Sequence, residues 1–138
     1  MFKLIQYGVD INKVTKNEQM TALHFEALNG HHRNVKTLLN KGAEKNAEAR
    51  YNYKRGYTPI ILAAKEGHRE IVDILIRYDA NVEQETEDGY NAILWAAKEQ
   101  KRDVLSRLVK YYQTKSDGIE NLLMNSYTDI QKIHHCNQ

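Results

Sequence analysis

Apolar residues in the central part of the chain are spaced as in helices, and their pattern returns after 33 residues. Two helices per period are predicted, because apolar positions recur three or four residues apart on each side of Gly67. The first set is Gly56, Tyr57, Ile60, Ala63, Ala64, Ile71 and Leu75, and its counterparts are Gly89, Tyr90, Ile93, Ala96, Ala97, Val104 and Leu108. A fixed period of this size indicates a repeat protein, in which each unit buries its neighbour's apolar face.

Helix-starting residues stand at matching places in these units. Thr21 and Thr58 are predicted N-caps, and Pro59 fits the first helical position, where its missing N–H costs nothing. Phe25, Leu62 and Trp95 occupy one equivalent position in three successive units. Because large apolar side chains at equivalent positions of stacked units meet, we expect these three to form a column through the core.

The tetrapeptides Thr21-Ala22-Leu23-His24 and Thr58-Pro59-Ile60-Ile61, with Gly67-His68 at a fixed offset, resemble the ankyrin repeat. The resemblance covers nearly all of residues 4–109. It implies an all-α fold, an ankyrin repeat solenoid of stacked helix-turn-helix units with hairpin tips. It also implies that the chain binds other proteins.

The predicted organisation is a single domain over residues 1–138. Its parts are a partial N-terminal repeat (1–15), a repeat (16–48), a repeat with an extended hairpin loop (49–85), a degenerate repeat (86–116) and a C-terminal helical cap and tail (117–138). In the degenerate repeat, Asn91 replaces the threonine and Gln100-Lys101 replaces the glycine-histidine pair. We therefore expect its helix-connecting turn to be less well tied than in the other units.

The hairpin between the first two full repeats is longer than the others. Thr21 and Thr58 lie 37 residues apart, four more than the period, and the excess falls between Glu48 and Gly56. We call residues 50–57 the finger. It carries three basic residues and three tyrosines: Arg50, Lys54, Arg55, Tyr51, Tyr53 and Tyr57. Tyr and Arg are frequent interface hot spots, although a longer loop is also tolerated at little entropic cost.

The resemblance implies that partners contact the concave face, formed by hairpin tips and the exposed sides of the first helices. Carried over to this sequence, the predicted partner-binding residues are Arg50, Tyr51, Tyr53, Lys54, Arg55, Tyr57, Lys65, Glu66, Glu87, Asp88, Tyr90, Lys98 and Glu99. Four acids, Glu83, Glu85, Glu87 and Asp88, follow in the next hairpin. We expect this acidic tip to pair with the basic finger.

Charge and composition narrow the range of partners. The net charge is +2, which gives no overall attraction to nucleic acid. No apolar run reaches the roughly 20 residues that span a bilayer, and the first ten residues lack the order of a signal peptide. With the single cysteine, Cys136, these features favour an intracellular, cytoplasmic protein, with a bacterial effector acting inside a host cell as the alternative. We expect neither nucleic acid nor a membrane as a partner.

Catalytic and metal-binding patterns are missing from the sequence. There is no phosphate-binding glycine loop, no metalloprotease motif and no nucleophile elbow. His24, His31 and His68 match structural positions of the repeat, and His134-His135-Cys136 lack the spacing of a zinc site. Glu26 replaces an interface alanine, with His32 or Arg33 within reach as its partner. We therefore predict no enzyme, cofactor, metal or small-molecule substrate.

The function predicted from the sequence is that of a protein–protein interaction module acting as an adaptor, targeting domain or inhibitor. One alternative is an internal fragment of a longer array with a structural stacking role. A monomer is expected, and in that alternative self-association would use Phe2, Leu4 and Ile5 at the N-terminal end. Another alternative is a regulatory or targeting region of a larger enzyme or bacterial effector.

Overall fold

A computed structural model describes residues 10–118. The helices in this range are α1 (Ala22–Asn29), α2 (His32–Asn40), α3 (Pro59–Glu66), α4 (Arg69–Arg77), α5 (Ala92–Lys98) and α6 (102–118). Two strands, β1 (Ala49–Tyr51) and β2 (Lys54–Tyr57), form one antiparallel hairpin between α2 and α3. The chain divides into two compact units between Leu105 and Ser106, and every predicted partner-binding residue lies in the first unit.

Parts of two predicted segments lie outside the described residues. Of the partial repeat over residues 1–15, the structure describes residues 10–15. The apolar residues Phe2, Leu4 and Ile5, the C-terminal helical cap beyond residue 118 and the tail histidines are outside it. The single-domain organisation and its internal boundaries therefore stay predictions.

Each first helix of a repeat begins at a side-chain cap. The Thr21 hydroxyl accepts a hydrogen bond from the His24 amide at 3.3 Å, and the Thr58 hydroxyl accepts one from the Ile61 amide at 3.4 Å. Asn91 takes the same role in α5, because its side-chain oxygen accepts from the Leu94 amide at 3.1 Å. The predicted threonine caps are confirmed, and asparagine is an equally good cap in the third unit.

The helices stack in two rows, as the predicted fold class requires. The first helices pack in the order α1, α3, α5, and the second helices α2 and α4 pack beside them. Ala27, Ala63 and Ala96 on these first helices are fully buried, and their small side chains allow close helix approach. Helices of seven to nine residues are marginal alone in water, so this packing holds them.

Two of the three residues predicted to form a column through the core are buried. Leu62 is inaccessible on α3, which packs between α1 and α5, and Trp95 is 5% exposed. Phe25, however, is 40% exposed, so its predicted place in the core is wrong.

The turn of the degenerate repeat keeps the backbone hydrogen bond of its counterpart, so the expected loosening is not seen in the backbone. The Lys101 amide donates to the Ala96 carbonyl at 2.8 Å, as the His68 amide does to Ala63 at 2.8 Å. Gln100 adopts the left-handed conformation, with φ of 58°, that glycine provides in the earlier units. Backbone hydrogen bonding therefore keeps this turn although its sequence has changed.

Asparagine side chains join the loops of successive repeats. The side-chain oxygen of Asn12 accepts from the Glu44 amide at 2.8 Å, and that of Asn46 accepts from the Asn81 amide at 2.8 Å. Each bond connects one repeat to the next at the same structural position. These bonds fix the spacing between units where no helix is present.

Gly56 allows the finger to approach the following loop closely. Its φ is +90°, a conformation that other residues rarely adopt. A Cβ at this position would lie 3.0 Å from the Glu85 carbonyl oxygen and 3.0 Å from the Thr86 Cα. Because both are backbone atoms, they cannot move aside as a flexible side chain could.

We expect Gly56→Ala to lower the free energy of unfolding by about 2 to 3 kcal/mol, since backbone strain and a backbone clash add together. Gly42→Ala is the matched control, because Gly42 has the same φ of +90° and nothing within 4 Å of the added Cβ. Urea unfolding followed by circular dichroism measures both. Equal losses in the two variants would show that the close approach has no energetic consequence.

Candidate functional site

The finger is a rigid hairpin that presents an aromatic side chain at its tip. Its strands pair Ala49 with Tyr57 and Tyr51 with Lys54, with an irregularity between Ala49 and Tyr51. Asn52 and Tyr53 form the two-residue turn, with φ of 51° and 64°. Two successive left-handed residues match the twist of a tight hairpin. Tyr53 is fully exposed at this turn.

The buried imidazole of His24 holds both stems of the hairpin. Its Nδ1 accepts from the Thr21 amide at 3.1 Å, so its Nε2 carries the proton. This N–H lies 2.8 Å from the Ala47 carbonyl oxygen and 2.9 Å from that of Tyr57, on the two sides of the finger. Burial lowers the pKa of His24, which keeps the ring neutral.

The finger pairs with the acidic loop before α5, as the sequence predicted. Lys54 Nζ lies 2.5 Å from Asp88 Oδ1, and this hydrogen bond raises the pKa of Lys54. The Arg55 amide donates to Glu87 Oε2 at 3.0 Å, while the Glu87 amide donates to the Arg55 carbonyl at 3.0 Å. The second strand is thus fixed from its outer edge by both backbone and side chains.

Aromatic rings and lysines form a continuous cluster beside the finger. Trp95 lies 5.9 Å from Tyr57 and 5.3 Å from Tyr90 between ring centroids, and its indole N–H donates to Thr86. Lys65 Nζ is 5.3 Å and Lys98 Nζ is 5.1 Å from the Trp95 centroid. Both distances are within the range of a cation–π interaction. Trp95 therefore holds two cations at the surface from a nearly buried position.

The outer ring of this cluster is Tyr51, which connects it to the finger. Its ring centroid lies 5.4 Å from that of Tyr57 and 5.8 Å from Lys65 Nζ. Burial and the negative charge of Glu66 raise the pKa of Tyr51 above 10.0. At neutral pH Tyr51 is thus a neutral phenol with a partly exposed ring.

Tyr57 differs from the other predicted partner-binding residues because it is 1% exposed. Its side chain packs between Tyr51 and Trp95, and burial raises its pKa. A partner cannot reach it in this conformation, so its inclusion in the contact surface is corrected. Tyr57 instead supports the rings that are exposed around it.

The other predicted contact residues are brought together on one surface, which we call the finger surface. It consists of Arg50, Tyr51, Tyr53, Lys54, Arg55, Lys65, Glu66, Glu87, Asp88, Tyr90, Lys98 and Glu99. Ion pairs, hydrogen bonds, ring contacts and cation–π interactions connect many of them, and Lys65 also lies 3.8 Å from Glu99. The sequence predicts Trp95 only as a core residue, although Lys98, on the same helix, was a signal that Trp95 could also contact a cation. Gln19 lies near Arg50 and Arg55 of the finger, and no pattern in the sequence indicated this.

The histidines in the described residues have structural roles. His68 donates from Nε2 to the Leu28 carbonyl at 2.9 Å and so joins two repeats. The partners of Glu26 are His31 at 2.6 Å and Asn34 at 3.1 Å, rather than His32 or Arg33 as predicted, because the preceding turn directs His31 back over α1. Within residues 10–118, no group of three His, Cys, Asp or Glu side chains is arranged to hold a metal ion. No helix in that range has both the length and the apolar character of a membrane span.

Comparisons with known proteins agree with this geometry. A family model described as ankyrin repeats, in three copies, matches residues 45–117, and a single ankyrin repeat model matches residues 18–50. The chain is also similar to the probable E3 ubiquitin-protein ligase XBOS32 of Oryza sativa subsp. japonica, with 43% identity over 60 residues. That similarity covers 44% of this chain and 11% of the ligase. It therefore concerns a repeat region of a much longer protein.

We expect the free energy of unfolding to fall as the pH drops below about 6.5, the usual pKa of histidine. Because the pKa of His24 is lower in the folded chain, protons bind first to the unfolded chain, and the loss continues until the pH passes below the folded pKa. Urea unfolding between about pH 8 and pH 5 measures this slope.

The comparison uses one variant. His24→Asn should show a smaller pH dependence than the unmodified protein, because it lacks the buried imidazole. An unchanged slope in His24→Asn would contradict the assignment of the buried neutral ring.

Proposed function

Because the chain belongs to the ankyrin repeat family, we propose that it binds a partner protein through the finger surface. Ankyrin repeats are generally protein-interaction modules and form a non-catalytic fold. The observation that carries the proposal is the fully exposed Tyr53 at the tip of a hairpin whose strands are fixed on both sides. An exposed aromatic side chain on a rigid support suits an interface hot spot.

Rigidity supports binding because little entropy is lost when the partner docks. His24 fixes both stems of the finger, and Glu87 fixes its second strand. Lys65 and Lys98 are likewise held over aromatic rings rather than left extended in solvent. Contact energy at such a surface is not spent on ordering loops. The protein would act as an adaptor, a targeting module or an inhibitor.

A second candidate function is that of a targeting region within a longer enzyme. The similarity to a stretch amounting to 11% of a probable E3 ubiquitin-protein ligase favours it, since the repeats there accompany a much larger chain. In that arrangement the finger surface would still bind a protein, and the rest of the longer chain would act on it. The two candidates therefore share one binding step.

We expect a variant with Tyr53→Ala and Lys98→Ala to lose capture of the partner from a lysate of the source organism by about tenfold or more, as truncated hot spots do. The full 138-residue chain is immobilised, and quantitative mass spectrometry compares the proteins it retains. Circular dichroism melting checks that the variants stay folded.

The matched control carries Lys36→Ala and Lys41→Ala, which are exposed on the second-helix side. This control should capture the same protein as the unmodified chain. Equal capture by all three proteins would place recognition elsewhere and would contradict the proposal, as would capture of nothing by the unmodified chain.

A further inference from the structure

A groove at the base of the finger is lined by one arginine from each strand of the hairpin. The groove has a volume of about 340 Å³, and its lining residues are Gln19, Glu48, Ala49, Arg50, Arg55 and Gly56. Arg50 and Arg55 both lie in the irregular part of the hairpin, between the Ala49–Tyr57 and Tyr51–Lys54 pairs. Like charges on neighbouring strands repel each other.

Neither of these arginines is neutralised within the part of the chain that the structure describes. The nearby acids have other partners: Asp88 pairs with Lys54, and Glu87 accepts from the Arg55 backbone amide rather than its guanidinium. Glu48 lines the groove itself but accepts a hydrogen bond from Gln84. The groove therefore holds two guanidinium charges and one carboxylate, a net charge of about +1.

The backbone that carries the two arginines is fixed before any partner arrives. The Arg50 amide donates to the Glu18 carbonyl at 2.7 Å, and the Arg55 amide donates to Glu87 at 3.0 Å. Both outer edges of the hairpin are thus occupied, so a partner cannot add as a further strand at these positions. Recognition here has to come from the side chains.

We propose that this groove binds a carboxylate side chain of an acidic segment in the partner protein. This inference rests on the proposed function and names the chemistry of the partner. Arg presents parallel N–H donors that match a carboxylate, and two guanidiniums in one groove offer it two such sets of donors. A single negative charge matches the net charge of the groove, whereas a phosphate dianion would meet repulsion from Glu48. Tyr53 then provides aromatic contact for the residues that flank the carboxylate.

The test uses fluorescein-labelled hexaglutamate with the full chain, followed by fluorescence anisotropy at low salt. A variant with Arg50→Gln and Arg55→Gln should weaken binding by about tenfold or more. The control variant with Arg33→Gln and Lys36→Gln removes the same charge from another exposed surface and should weaken binding less than about twofold. Labelled hexaglutamine should not bind.

A second measurement distinguishes the groove from general charge attraction. On addition of hexaglutamate, the side-chain Nε–H signals of Arg50 and Arg55 should shift in nitrogen–proton NMR spectra, while that of Arg33 stays in place. Equal weakening in the two double variants, no detectable binding, or absence of these shifts would overturn the proposal. So would a phosphoserine peptide of equal net charge that binds more tightly than hexaglutamate.

The outcome also separates this inference from the proposed function. If capture of a partner depends on Tyr53 and Lys98 while hexaglutamate does not bind, the finger surface remains the interaction site and the acidic class of partner is wrong. If hexaglutamate binds at Arg50 and Arg55 but no protein is captured through Tyr53 and Lys98, the carboxylate groove stands and the larger surface is wrong.

Discussion

The buried N–H of His24 is the interaction on which the finger depends. It is placed between the Ala47 and Tyr57 carbonyl oxygens, so one donor satisfies acceptors on both stems of the hairpin. A buried polar group that loses its hydrogen bond is costly, and removing this one donor would weaken the contacts to both stems. Because these two carbonyls lie on the two stems of the hairpin, the orientation of the finger is set by the core rather than by its own two short strands.

The core also supports the finger surface through aromatic rings that range from buried to fully exposed. Trp95 and Tyr57 are nearly inaccessible, Tyr51 and Tyr90 are partly covered, and Tyr53 is fully exposed. Lys65 and Lys98 place their ammonium groups over the Trp95 ring, at 5.3 Å and 5.1 Å from its centroid. The ring that packs in the core thus also holds the lysine charges, so a change in the packing of Trp95 would affect both.

Among the described residues, only some of the basic side chains near the finger have an acidic partner. Lys54 and Lys65 have acidic neighbours at 2.5 Å and 3.8 Å, and Arg77 pairs with Asp73 on α4 at 2.9 Å. The guanidiniums of Arg50 and Arg55 form no salt bridge with the described residues, although acids are close in the sequence. Asp88 and Glu87 of the acidic loop instead contact Lys54 and the backbone amide of Arg55.

The sequence by itself determined the period, the capped first helices and the two-helix units, because these depend on local propensity and on spacings that recur within one chain. It also determined that a longer, tyrosine-rich hairpin interrupts the pattern. Only the tertiary structure decided that Tyr57 is buried while Tyr53 is exposed, since Tyr57 packs between Tyr51 and Trp95 whereas Tyr53 lies at the hairpin turn. It likewise decided that Phe25 is exposed whereas Leu62 is buried, that Glu26 pairs with His31, and that Lys54 rather than an arginine meets Asp88. Each of these outcomes depends on atoms from residues distant in the chain or on the direction of a turn, and no local pattern specifies either.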